Sequence, residues 1–129
     1  AERLPDELLA PLDQFDTEYV RNPEPKLQLI GVLEEHPSDE VRIAVEPFLE
    51  DASEPVRFAA CGTLFAIGLP SSVPALIATL EQEESLRVRN RLAEGLADKR
   101  WEIPAELQGA CEKGLPPGFA VRGGVVARR

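Results

Sequence analysis

Ser53-Glu54-Pro55-Val56-Arg57-Phe58-Ala59-Ala60-Cys61-Gly62-Thr63-Leu64-Phe65-Ala66-Ile67-Gly68 reads as one helix with signals at both ends. Ser53-Glu54-Pro55 opens it, with Pro in the first turn, where its missing N–H is one of the unpaired donors anyway. Gly68 closes it at the position that favours a positive φ. The pattern then returns at a fixed distance: Val56, Arg57 and Leu64 fall on Val88, Arg89 and Leu96, an offset of 32 residues. A second, independent segment carries the same offset, since Val41, Ala44, Val45 and Phe48 fall on Val73, Leu76, Ile77 and Leu80. Two different helical patterns with one period indicate a stack of helix pairs. Such stacks generally supply surfaces rather than chemistry.

Working outward, residues 6–20 carry Leu8, Leu12, Phe15 and Tyr19 on one apolar stripe, with Asp6 and Glu7 at the positive end of the helix dipole. Asn22-Pro23-Glu24-Pro25 breaks the chain. A helix over 25–35 buries Leu29, Ile30, Val32 and Leu33. Pro37-Ser38-Asp39 ends it and caps the next, over 39–50, in which Pro47 predicts a kink or an early end. Ser71 or Ser72 caps a helix that has Pro74 in its first turn and runs to about Glu83. Ser85 caps another over 86–98, and Pro104 opens a last one over 104–113, closed by Gly114. The expected fold is all-α, a right-handed α-α superhelix of about three helix pairs plus an N-terminal helix, spanning residues 1–113. Residues 114–129 form a Gly/Pro-rich tail with no period-two pattern long enough for a sheet. Its Phe119, Val121 and Val125-Val126 are expected to cover the end of the stack, since the last pair of an array has no neighbour.

The 129 residues are 43% hydrophobic, enough for one folded domain. No apolar run approaches the roughly 18 residues that cross a membrane. Ala1-Glu2-Arg3-Leu4-Pro5 lacks the apolar core of a signal peptide. Cys61 and Cys111 are too few for a disulfide framework and lie in apolar helical patterns, which points to reduced, buried thiols and a cytoplasmic location. The net charge of −9 is concentrated in residues 1–60, with 15 acids and 5 bases, while residues 61–129 hold 8 acids and 9 bases. That acidity disfavours nucleic acid and anionic membranes as partners.

The stretch Glu54 to Ala60, followed by Leu64, Ile67-Gly68 and Val73-Pro74-Ala75-Leu76-Ile77-Ala78-Thr79-Leu80-Glu81, strongly resembles one HEAT-like repeat, of the short variety also found in phycobilisome-lyase-type proteins. Residues 25–50 and 84–113 match it partially. The resemblance implies a helical solenoid acting as a non-catalytic scaffold for another protein or peptide. It also implies that the second helix of each pair, over 39–50, 72–83 and 104–113, lines a concave face. With Val73, Leu76, Ile77 and Leu80 turned inward, the other face of the middle helix carries Ala75, Ala78, Thr79 and Gln82, an uncharged strip. The neighbouring helix contributes Arg42, Glu46 and Ile43. Departures from the pattern are Gly31 and Gly62 inside helices, suited to close packing, and a long turn at Asp98-Lys99-Arg100-Trp101-Glu102.

Other candidates are few. Arg57 and Arg89 occupy one repeat position, where family arginines bridge to acidic residues. Arg87 and Arg91, four apart on one helical face and followed by Lys99, Arg100 and Trp101, form the basic cluster. Trp101, the sole Trp, suits a repeat junction or an interface anchor. His36, the one His, sits at a helix C-terminus just before Pro37, and with Cys61 expected to be buried in another helix it does not suggest a Cys–His pair; Glu34-Glu35 and Glu83-Glu84 are carboxylate pairs at helix ends, expected to be solvated. No metal-ligand spacing or phosphate loop is present. The expectation is therefore no enzyme, no cofactor and no metal. The weaker alternatives are a bilin lyase-like subunit and a HEAT-like nucleic-acid or base-excision protein.

Overall fold

In a computed structural model, residues 22–129 are described. The helix expected over 6–20 lies outside them. Six helices follow in chain order: α1 (Glu24–Glu34), α2 (Asp39–Val45), α3 (Glu54–Ile67), α4 (Val73–Gln82), α5 (Leu86–Lys99) and α6 (Ala105–Gly114). Short 3-10 turns follow α2 at Glu46–Glu50 and precede α4 at Pro70–Ser72. In chain order they form three successive pairs, α1–α2, α3–α4 and α5–α6. The first helices, α1, α3 and α5, pack side by side as one layer, and the 3-10 turn after α2 packs with α4 and α4 with α6 as the second.

The repeat period is visible in the core. Val56 and Val88 are fully buried, and so are Leu64 and Leu96. Leu76, Ile77, Leu80 and Leu92 are also fully buried, each contributing roughly 1.5–3 kcal/mol by leaving water. The period weakens at α2, where Ala44 is exposed although its counterpart Leu76 is buried. Pro47 then changes the backbone. It has no N–H for an α-helical bond, so the α-helix stops at Val45 and the chain tightens into the 3-10 turn.

Several end signals act as expected. Ser38 Oγ accepts from Val41 N at 3.1 Å, Ser85 Oγ accepts from Val88 N at 3.2 Å, and Gly68 takes φ 77°. Two differ. Ser72 does not cap α4, because its own backbone is already helical after the 3-10 turn (φ −77°, ψ −11°), and its hydroxyl donates instead to Glu46 Oε2 at 3.1 Å. Gly114 is not a left-handed stop; it lies in the last turn of α6, where a Cβ would stand 2.7 Å from the carbonyl oxygen of Leu80.

The helix-interior glycines also differ from expectation. A Cβ on Gly31 would meet nothing within 4 Å, and on Gly62 only the Arg91 guanidinium at 3.5 Å. The close approach is at Gly95 on α5, where a Cβ would overlap the ring of buried Phe65.

The tail folds into a hairpin. Strands β1 (Phe119–Arg122) and β2 (Val125–Arg128) pair antiparallel, Val121 opposite Val126. The two-residue turn Gly123-Gly124 has both φ positive, at 59° and 82°, as a type I′ turn requires. The strands are only four residues long, which is why no periodicity announced them. Phe119, Val121 and buried Val126 share one face and join the core, with β2 against α5 and β1 against α6. Ile103 N donates to Gly124 O at 2.7 Å, and Val121 N donates to the Glu112 carboxylate at 3.0 Å.

Candidate functional site

Basic residues on the first helices reach acids at the ends of the second helices. Lys26 Nζ donates to Asp51 Oδ1 at 2.7 Å. One repeat later Arg57 grips Glu83 with two bonds, Nε to Oε2 at 2.9 Å and Nη2 to Oε1 at 3.0 Å, and its Nη1 donates to the carbonyls of Asp51 and Ala52. Glu83 is thus 3% exposed rather than solvated. The ladder stops at the third repeat, where the position 32 residues after Glu83 is Leu115. Arg89 Nε is buried with no hydrogen-bond partner among the described residues.

A groove of about 800 Å³ opens beside this ladder, between the 3-10 turn and α4. Ala75, Ala78, Thr79 and Gln82 all line it, as do Ile43 and Glu46. Ile43 is 59% exposed, one of three large apolar side chains left open to solvent among the described residues. Thr79 is nearly buried and donates its hydroxyl to Ala75 O at 3.0 Å, so it offers mainly its methyl group. Glu46 is held by Arg42 Nη1 at 2.6 Å and by the Ser72 hydroxyl, which ties the end of α2 to the start of α4. Arg42 also bonds Asp39 and is not among the lining residues. Leu49, Glu50 and Asp51 line the groove as well, and so do Pro47, expected only as a helix break, and Glu84, expected only as a solvated carboxylate. They sit in the 3-10 turn and interhelix segments, where side-chain direction does not follow helical periodicity. For Asp51 and Glu83 a clue existed, since each follows a basic residue by 25 or 26 positions.

The residues of the basic cluster are separated by their contacts. Arg87 is paired to Glu54 by two bonds, at 3.0 and 2.8 Å, and stacks 3.8 Å above the centroid of Phe58. Arg91 and Trp101 both pack on Phe65, at 5.5 and 5.8 Å from its centroid. Trp101 is half-buried in a turn that Arg100 forms with φ 55°. The guanidinium of Arg87, and then the Ser85 hydroxyl at 2.7 Å, hold the Glu54 carboxyl down at about 2.

The two thiols are not poised as nucleophiles. Burial pushes the Cys61 thiol up to about 12 and Cys111 up to about 11, so neither is a thiolate at neutral pH. No group of three His, Cys, Asp or Glu could hold a metal ion among the described residues, and none of their helices is long and apolar enough to cross a membrane.

Neither a curated protein nor a solved structure gives a significant match to the chain. A family model described as HEAT repeats matches residues 18–97, more than half of the length. With three helix pairs in two layers and a ladder that repeats with the helices, the chain belongs to the HEAT repeat family.

Proposed function

We propose that the protein is a non-catalytic scaffold that binds another protein or peptide along the concave face of its helical stack. The groove between the 3-10 turn and α4 carries this reading: its open floor includes Ile43, Ala75 and Ala78, with Gln82 as the polar group beside them. A partner helix can lie in such a groove and bury apolar side chains that the scaffold leaves exposed. The buried, protonated thiols suit a protein without covalent chemistry and fit a reducing compartment such as the cytoplasm. Within the same reading, the β-hairpin is the cap that closes the last repeat.

The test is capture of a partner from a lysate of the source cell by the native chain and by Ala78→Trp. Ala78 is exposed on α4, so the larger ring fills the groove without entering the core. Loss of the partner, with the circular dichroism spectrum unchanged, is the expected result. Undiminished capture by the Trp variant rejects the groove.

A further inference from the structure

The chemistry of the occupant follows from the charges around the groove, provided that the groove is the binding face. Five carboxylates line it, Glu46, Glu50, Asp51, Glu83 and Glu84, against one cation, Arg57. Three of the five are engaged within the protein: Glu46 with Arg42, Asp51 with Lys26 and Glu83 with Arg57. Glu50 and Glu84 are exposed and have no ion pair among the described residues. The structure therefore offers an uncharged floor with two uncompensated negative charges beside it.

We propose that the groove receives a basic amphipathic helix of another protein, with small apolar side chains over Ala75 and Ala78 and Lys or Arg against Glu50 and Glu84. The short side chains of Ala75 and Ala78 let a second helix approach closely, since interaxial distance is set by the residues at the contact. A low-dielectric wall lined with one sign of charge draws in the opposite sign and raises the association rate. An acidic segment would set like charges together, and a neutral one would cover two carboxylates with nothing to replace their water.

Two labelled synthetic helices of about 16 residues, long enough to hold helical structure, test this by fluorescence anisotropy on the full chain. They share one Ala/Leu face and carry either Lys or Glu at every polar position. The Lys peptide is expected to bind, with affinity falling as salt rises. Its affinity should drop about tenfold or more with Glu50→Lys/Glu84→Lys, and by less with Glu50→Gln/Glu84→Gln, which guards against misfolding of the reversal variant. The control Glu94→Lys/Glu102→Lys, exposed and outside the groove lining, makes the same net-charge change and should leave binding intact. Failure of the Lys peptide to bind, equal binding of the Glu peptide, or equal loss in the control overturns the proposal. If Ala78→Trp abolishes partner capture while the Lys peptide does not bind, the basic occupant is wrong and the scaffold reading stands. If Ala78→Trp changes neither, the groove itself is wrong.

Discussion

Gly95 and Gly31 both lie inside helices and have opposite roles. At Gly95 the ring of Phe65 fills the space a Cβ would take, and Phe65 is itself hemmed in by Trp101 and Arg91. Gly95→Ala is expected to lower stability in urea unfolding by about 1–3 kcal/mol, overpacking outweighing the better helix propensity. Gly31→Ala adds a methyl group in open space and should raise stability by about 0.5–1 kcal/mol. A Gly95→Ala protein as stable as the native one would show that the ring yields freely. Arg57 and Arg89 form a similar contrast. Arg57→Met leaves nearly buried Glu83 without its two bonds and should cost about 1–3 kcal/mol, less than a sealed pair because Arg57 is partly open. Arg89→Met removes a guanidinium whose Nε is buried without a partner among the described residues, and should change stability by less than about 0.5 kcal/mol or raise it. Equal losses in the two variants would mean that the ladder does not stabilise the stack.

The elements depend on one another where the repeat is irregular. Pro47 ends α2 early, and the resulting 3-10 turn provides one wall of the groove, so the break in the helix makes the opening. The hairpin depends on two glycines with positive φ. In Gly123→Ala/Gly124→Ala each Ala is forced into the left-handed region at roughly 1–2 kcal/mol, which should open the turn and uncover Val126. Amide hydrogen exchange at Ile103, whose N–H is bound to Gly124 O, should quicken relative to amides in α3. Unchanged protection at Ile103 would show that the hairpin holds without its turn.

Across the whole chain, the acidic balance of −9 and the paired carboxylates make stability depend on pH. Glu54 joins the starts of α3 and α5 through Arg87 and Ser85, and its carboxyl lies at about 2, below the ordinary 4.5. A group lowered on folding contributes stability above its unfolded value and loses it as pH falls through the folded one. Glu54→Gln should therefore melt below the native protein at pH 7, the gap closing between about pH 4.5 and 2, with added salt narrowing it because the pair is partly exposed. A gap that persists at pH 2 would assign the loss to the hydrogen bonds rather than to the charge.

Helix order, the caps of α2 and α5, the end of α3 and the inward residues of α4 could be read directly from the chain, because apolar spacing, Ser38, Ser85 and Gly68 are local consequences of backbone geometry. What lay across space was not: that Phe65 meets Gly95, that Leu80 meets Gly114, that Glu83 is gripped by Arg57 and that Arg89 Nε finds no partner among the described residues. The walls of the groove belong to that second group, since they come from a 3-10 turn and interhelix segments with no periodicity to follow. Local propensity set which helices form and where each one ends. Packing between elements, whose partners lie some 25 to 34 positions apart, set which charges are buried, which remain open and how the groove is shaped.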